Sequence, residues 1–407
     1  MEIRDPLILI FITNFLDMLG FGIILPVFGF IFFPENGGLF SDIYDADSLT
    51  RRYIILIASF SLGSFFGAPF TGSLSDRFGR KPMLILTYIT NICGYLLFIY
   101  GINHADYTSM YIARLGAGLT GGSLLIIQSA LADVSSPENK TRNFGITGIA
   151  FGLGFIIGAF LGGILSDPAI CTWFSLTTPF WVAAFIFLIN ILFLWYYFEE
   201  TNHHRSSQKI SLLTGPKNIV QAFKTRQLMH IFIVIFLITL GFNFFVQLFQ
   251  FYIMDTFRYG RTATGIVLGS FGLLIALSQG LILPQMTKRY SAHQLTRMSL
   301  PLFALAYLFI LLPRQIGIFI GAVFFLVIMQ GLSFPSTLSI VSNRAGRDAQ
   351  GKTIGINQSV QSLAAASPIL FSLFVKAEYY YPMYFGAAIT LLAWIYYLWS
   401  ENKIKSP

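Results

Sequence analysis

The sequence predicts an all-α integral membrane protein with 12 transmembrane helices in two six-helix, pseudo-symmetric halves. The first observation behind this is composition. Of 407 residues, 55% are hydrophobic and 11% charged, with 43 Phe and a mean hydropathy of +0.69. A soluble domain carries about 25% charged residues and cannot bury so much apolar surface. The second is a recurrence of apolar runs, each long enough to cross a hydrocarbon core about 30 Å thick as a helix. The third is charge asymmetry. Lys and Arg concentrate at the N-terminus, the even-to-odd turns, the centre and the C-terminus; the opposite side carries Arg51, Arg52, Arg258, Arg261, Arg314 and Lys376. That bias puts both termini in the cytoplasm. It also gives the net charge of +8 a topological cause and argues against nucleic acid as a partner. Cys93 and Cys171 form no zinc or redox spacing. The first apolar run is too long for a cleavable signal peptide.

The spans follow in order. The first covers about Leu7 to Phe33, with Asn14 and Asp17 three apart on one face, then Gly20, Gly22 and Pro26. A long acidic loop from Pro34 to Arg52 is expected outside. The second span, Ile54 to Phe70, and the third, Met83 to Tyr100, flank a charged turn: Gly72-Ser73-Leu74-Ser75-Asp76-Arg77-Phe78-Gly79-Arg80-Lys81. Gly72 and Gly79 permit close helix approach or positive φ. The fourth span, about Met110 to Leu131, holds Arg114, Gly118 and Gln128. The fifth, about Phe144 to Leu165, carries Gly154, Gly158 and Gly162 at four-residue spacing, plus Gly163. Small residues at that spacing let helices approach closely or bend. The sixth runs from about Pro179 to Phe198. Residues 1–198 thus form an N-terminal half, 199–226 a polar cytoplasmic linker, and 227–407 a C-terminal half. Its spans lie near Met229–Met254, Gly265–Leu283, Met298–Leu312, Ile316–Val341, Ile354–Val375 and Tyr381–Ser400.

Of 18 acids, only Asp17 falls deep within a span; of 26 Lys and Arg, only Arg114 does. A charge at a helix centre costs about 2.5–3.5 kcal/mol on insertion scales, so one that is kept faces protein or water. Asp17 lies about 15 Å from the cytoplasmic end of its helix, near the midplane. Two readings fit. Asp17 exchanges a proton with Arg114 tuning it, or the two form a static ion pair between the first and fourth spans. In the seventh span Asn243, Gln247 and Gln250 share a stripe with Phe245 and Phe249 interleaved; the eleventh has Asn357 and Gln361 one turn apart. With Asn14 and Gln128, these either line a substrate cavity or bond helix to helix.

The motif from Gly72 to Lys81, G-x-L-x-D-R-x-G-R-K, resembles the signature between the second and third helices of the major facilitator superfamily of secondary transporters. Within it the first half is similar to the drug:proton antiporter branch, near the tetracycline-efflux proteins. The matching residues are Asp17 to Pro26, Arg114 to Gly118, Ala132-Asp133 to Glu138 with Arg142, and the helix-5 glycines Gly154, Gly158, Gly162 and Gly163. Gln350-Gly351 and Ser367-Pro368 fit in the second half. Ala159 stands where the branch's helix-5 motif has Pro.

The resemblance implies an alternating-access transporter of small molecules driven by a proton gradient, with no cofactor and no metal, acting in the lipid bilayer as a monomer. The setting it implies is a bacterial inner membrane. It also implies that Asp76 and Arg77 latch the cytoplasmic side against the start of the eleventh helix, with Gly72, Gly79, Arg80 and Lys81 completing the gate. Export of amphipathic compounds is the expected direction. The altered helix-5 motif leaves open import of a nutrient such as an amino acid, sugar or metal chelate. Enzyme chemistry is disfavoured: there is no H-E-x-x-H, no pair of intramembrane aspartates and no phosphate-cradling loop.

Overall fold

The computed structural model describes residues 5–32, 38–40, 43–135, 140–202, 213–224, 226–311, 315–345, 350–368 and 380–405, and every regular element among them is helical. Asp5 caps α1 (Pro6–Ile24), its carboxylate accepting from the Leu7 N–H, with Pro6 in the first turn. The expected first span is interrupted at Leu25-Pro26, where Pro lacks an N–H, and resumes as α2 (Val27–Phe32).

The loop after the first span is shorter than the sequence suggests, because α3 (Ala46–Phe78) already begins at Ala46. At 33 residues α3 is about 50 Å long, so it overruns the hydrocarbon core. It also absorbs most of the expected Gly72–Lys81 turn. Only Gly79 is non-helical, at φ 111°, before α4 (Arg80–Asn103) starts. Gly72, Asp76 and Arg77 therefore lie on the last turns of one helix, and Arg80 and Lys81 on the first turn of the next.

The expected fourth span is two helices, α5 (Tyr107–Leu119) and α6 (Ser123–Val134). Asp106 caps α5. The Ser109 hydroxyl and then the Thr108 N–H hold its carboxyl below the usual aspartate range. Two consecutive glycines, Gly121-Gly122, make the break after Leu119 cheap. The remaining elements are α7 (Lys140–Leu165), α8 (Thr178–Tyr197), α9 (Thr214–Lys224), α10 (Arg226–Phe257), α11 (Arg261–Leu277), α12 (Leu283–Thr287), α13 (Ala292–Phe309), α14 (Ile316–Ala345), α15 (Gln350–Ala366) and α16 (Tyr381–Lys405). A π-helical turn, Ser278–Ile282, joins α11 to α12. Pro284 explains it: its ring crowds the Gly280 carbonyl four residues back, and a wider turn relieves the clash. The expected linker holds a helix of its own, α9; His203, His204, Arg205 and Lys209 lie outside the described residues.

Ten helices or helix pairs among the described residues are long and apolar enough to cross a membrane. The other two expected spans fall on α13, whose first turns carry His293, Gln294 and Arg297, and α15, which starts directly after residues outside the description. By internal contacts the chain divides into two units, residues 1–214 with 253–273, and residues 215–252 with 274–407.

In the first unit α1 lies along α7. A Cβ on Gly154 would sit 2.5 Å from the Phe15 carbonyl oxygen, and one on Gly158 2.5 Å from that of Leu19; Gly162 meets Ile23 in the same way. A second face of α7 meets α11, where a Cβ on Gly163 would lie 3.0 Å from the Gly265 Cα. Backbone-to-backbone contact on two faces leaves no room for side chains. In the second unit α10 anchors a core of Leu228, Ile231, Ile235, Leu300, Val341 and Tyr397.

Gly158→Leu should lower the folded yield and reduce stability by about 1–3 kcal/mol, as overpacking does. Gly148→Leu, where a Cβ meets nothing within 4 Å, should be close to neutral. Thermal unfolding of the detergent-solubilised variants, followed by size exclusion, checks both.

Candidate functional site

Asp17 sits midway along α1, 3% exposed, inside the first unit. Its partner is Ser123, whose Oγ donates to Asp17 Oδ2 at 2.9 Å. The break between α5 and α6 creates this contact. It makes Ser123 the first residue of α6, and it brings to the carboxylate the end of a helix rich in unsatisfied N–H groups. Around this pair the wall is apolar and aromatic. Tyr88 and Tyr95 of α4 stack on Phe187 at centroid distances of 5.1 and 5.5 Å. Gly20 makes room for that ring, since a Cβ there would be 3.2 Å from it. Asn14 is fully buried beside Thr13, whose carbonyl accepts from Asn190 Nδ2 at 3.2 Å.

Arg114 is also buried, at 5% exposure, but it does not pair with Asp17. Its guanidinium carbon lies 4.7 Å from the Phe28 ring centroid and 4.6 Å from that of Phe60. Two π faces hold the cation where a carboxylate was expected. The reason is position: Ser123, which holds Asp17, lies beyond the break that separates it from Arg114 of α5. The static ion pair is thus corrected. Among the described residues the ion pairs lie near helix ends, and none joins Asp17 to Arg114.

At the junction of α3 and α4, Arg80 is the hub. Its Nη1 donates to Asp76 Oδ1 at 2.6 Å and to Ser75 Oγ at 2.7 Å, and its Nε to Asp133 Oδ2 at 3.0 Å. Glu200, beyond α8, caps α4: Oε1 accepts from the Arg80 N–H at 2.8 Å and Oε2 from the Lys81 N–H at 3.2 Å. Lys81 Nζ reaches the Trp195 carbonyl at 2.9 Å, and Asn202 Nδ2 closes the end of α3 through the Asp76 carbonyl at 2.9 Å. Gly79 is required twice, by its positive φ and by the Glu200 carboxylate, which occupies the place of a Cβ. Arg77 is exposed, its guanidinium 5.5 Å from the Phe78 ring centroid, and Gly72 packs on Leu125. The second unit has its own cluster, with Arg344 Nη2 on Glu401 Oε1 at 2.6 Å and His293 Nδ1 3.2 Å from Glu401 Oε2.

The expected cavity residues divide. Phe245 and Phe249 are fully buried, 4.9 Å apart, against Tyr307 at 5.4 Å and Phe319 at 6.1 Å. They pack the second unit instead of lining an open cavity, because the rings of α13 and α14 enclose them. Asn243 Nδ2 bonds the Thr239 carbonyl of its own helix at 3.0 Å. Gln247 Nε2 reaches the Ala365 carbonyl of α15 at 3.3 Å, which is helix-to-helix bonding. Gln247 Oε1 and Asn357 Oδ1 are buried acceptors with no donor among the described groups. Gln361 and Gln128 are half-buried.

Ser123, Ser75, Glu200 and Asn202 were missed in the sequence. Glu199-Glu200, an acidic pair directly after an apolar run, was the available signal for the α4 cap. Ser123 had none, because its role depends on the helix break.

A sequence model of the Major Facilitator Superfamily matches residues 10–367. The chain belongs to that superfamily. It is a multi-pass membrane transporter and not an enzyme. It is 29% identical over 383 residues to the class C tetracycline resistance protein of Escherichia coli, covering 93% of this chain and 91% of that one. Multidrug resistance protein 2 of Bacillus subtilis is 23% identical, with coverages of 95% or more on both sides (98% and 96%). The solved structure of the human organic anion transporter TETRAN superposes with a TM-score of 0.72 at 20% identity, over 96% of this chain and 98% of that one, and supports the fold alone. These likenesses agree with drug:proton antiport as the broad class.

Arg80→Ala should cost about 2 kcal/mol, since a buried guanidinium loses several charged hydrogen bonds. Asp76→Ala should cost below about 1 kcal/mol, because its carboxylate is half exposed at 50%. Thermal unfolding of both variants measures the order, and the reverse order would contradict this reading of the hub.

Proposed function

We propose that the protein is a proton-coupled exporter of small amphipathic compounds that works by alternating access. The observation that carries this is Asp17, an acid deep within a span, buried, bonded to one hydroxyl and free of an ion pair. A carboxyl so placed can change its proton occupancy as the transport cycle wets and dries it. A carboxyl locked to an arginine could not do so without first breaking the pair. Arg114 acts from a distance, as a fixed cation held by Phe28 and Phe60. The tetracycline and multidrug resistance relatives support an exported, partly apolar substrate.

In this reading residues 1–198 and 227–407 are the two rocking halves, 199–226 links them, and the protein acts as a monomer with both termini in the cytoplasm of a bacterial inner membrane. Gln247 Oε1 and Asn357 Oδ1 offer polar contacts to the substrate, with Asn14, Gln128 and Gln361 as further contacts. Asp76 and Arg77 latch the cytoplasmic side, a carboxylate near a helix N-terminus being the attractive element. The α7 glycines carry the helix sliding. No cofactor is needed beyond the proton gradient.

The second reading, proton-coupled import of a nutrient, draws on Ala159. It is buried and continues α7, where the branch has Pro.

Proteoliposomes of known orientation with an imposed pH gradient separate the two. Lipophilic cations or tetracycline-like compounds should move against the proton flow, and Asp17→Asn should reduce this to the rate of empty vesicles. Gradient-free substrate exchange should persist in that variant, since the fold is intact. Flux along the proton flow favours import. Unimpaired driven flux in Asp17→Asn removes the residue from coupling.

A further inference from the structure

The helix α9 is not accounted for by transport. Its inner side is packed: Asn218 Nδ2 donates to Ser359 Oγ of α15 at 3.0 Å, and Ala222 joins the core of Leu228 and Ile231. Its outer side is open. Val220 is 54% and Phe223 60% exposed, and Leu213, just before the helix, is 57% exposed. At 3.6 residues per turn these three fall within an arc of about 80°. Lys217 and Lys224, both exposed, border that arc on one side, and neither forms an ion pair with a described acid. An apolar arc flanked by lysines is the pattern of a helix lying in a membrane interface.

Depth supports the same occupant. One residue separates Lys224 from Arg226, where α10 begins, so α9 is held within a few ångströms of a membrane-crossing helix. Tyr397 belongs to the core that Ala222 joins, and two residues on, Trp399 is 50% exposed with the Lys403 ammonium 5.1 Å from its ring centroid. Trp with Lys marks the boundary between hydrocarbon and headgroups.

We propose that α9 is an in-plane surface helix that rests on an anionic phospholipid leaflet, with Leu213, Val220 and Phe223 in the acyl boundary and Lys217 and Lys224 on the headgroups. Each lysine near such a surface is attracted by the lipid charge, so binding depends on anionic lipid and on salt.

The test uses single cysteines at Val220 and Phe223, with Cys93→Ser and Cys171→Ser, each labelled with an environment-sensitive fluorophore. The full-length protein is reconstituted in phosphatidylethanolamine vesicles with or without phosphatidylglycerol. Lipid-borne nitroxides should quench both labels several-fold more than aqueous iodide does. Phosphatidylglycerol should increase that quenching, and Lys217→Glu with Lys224→Glu should remove the increase. Iodide-dominated quenching in both lipid mixtures would overturn the proposal. Nitroxide quenching indifferent to phosphatidylglycerol and to charge reversal would also overturn it, because no anionic lipid is then recognised. The readout is independent of transport, so its failure leaves the exporter reading untouched.

Discussion

A carboxylate inside an apolar helix bundle constrains everything packed around it. Asp17 would cost about 2.5–3.5 kcal/mol at a bare helix centre. The fold offsets this locally, with one hydroxyl from Ser123 and the end of α6. Both depend on breaking the fourth span at Gly121-Gly122. A continuous helix would carry no free N–H groups at that depth, since all would be bonded within the helix. The break is tolerated because the N–H groups of Thr120, Gly121 and Gly122 bond the Gly116, Gly118 and Thr120 carbonyls.

The neighbours of α1 serve the same purpose. Gly154, Gly158 and Gly162 let α7 approach to backbone contact, which fixes α1 lengthwise. Phe187 fills the space that Gly20 leaves and supports Tyr88 and Tyr95. Each unit ties its helix ends with an arginine–carboxylate cluster, Arg80 with Asp76 and Asp133 in one, Arg344 with Glu401 in the other.

Much of this was legible in the sequence. Apolar runs and charge asymmetry located the spans, because hydrocarbon imposes one simple rule on length and polarity. Asp17 and Arg114 stood out by subtraction. Their relation did not, since burial identifies an expensive group without naming its partner; the rings of Phe28 and Phe60 face the cation in place of an acid. Gly72 to Lys81 read as a turn because charges and glycines accumulate there, yet α3 runs on to Phe78 and Gly79 alone reverses the chain. Phe245 and Phe249 interleave with the amides in sequence but fall on the opposite side of α10, and periodicity alone could not say that this side meets Tyr307. The helix in the linker escaped notice because it is short and polar on average.

The central claim is that Asp17 is a titrating group and not a fixed structural charge. Infrared difference spectroscopy across a pH step, on the reconstituted protein, observes this directly through the carboxyl C=O stretch. The account predicts a band that appears and disappears with pH, shifts in Ser123→Ala and is missing in Asp17→Asn. A spectrum unchanged between the parent protein and Asp17→Asn would contradict it.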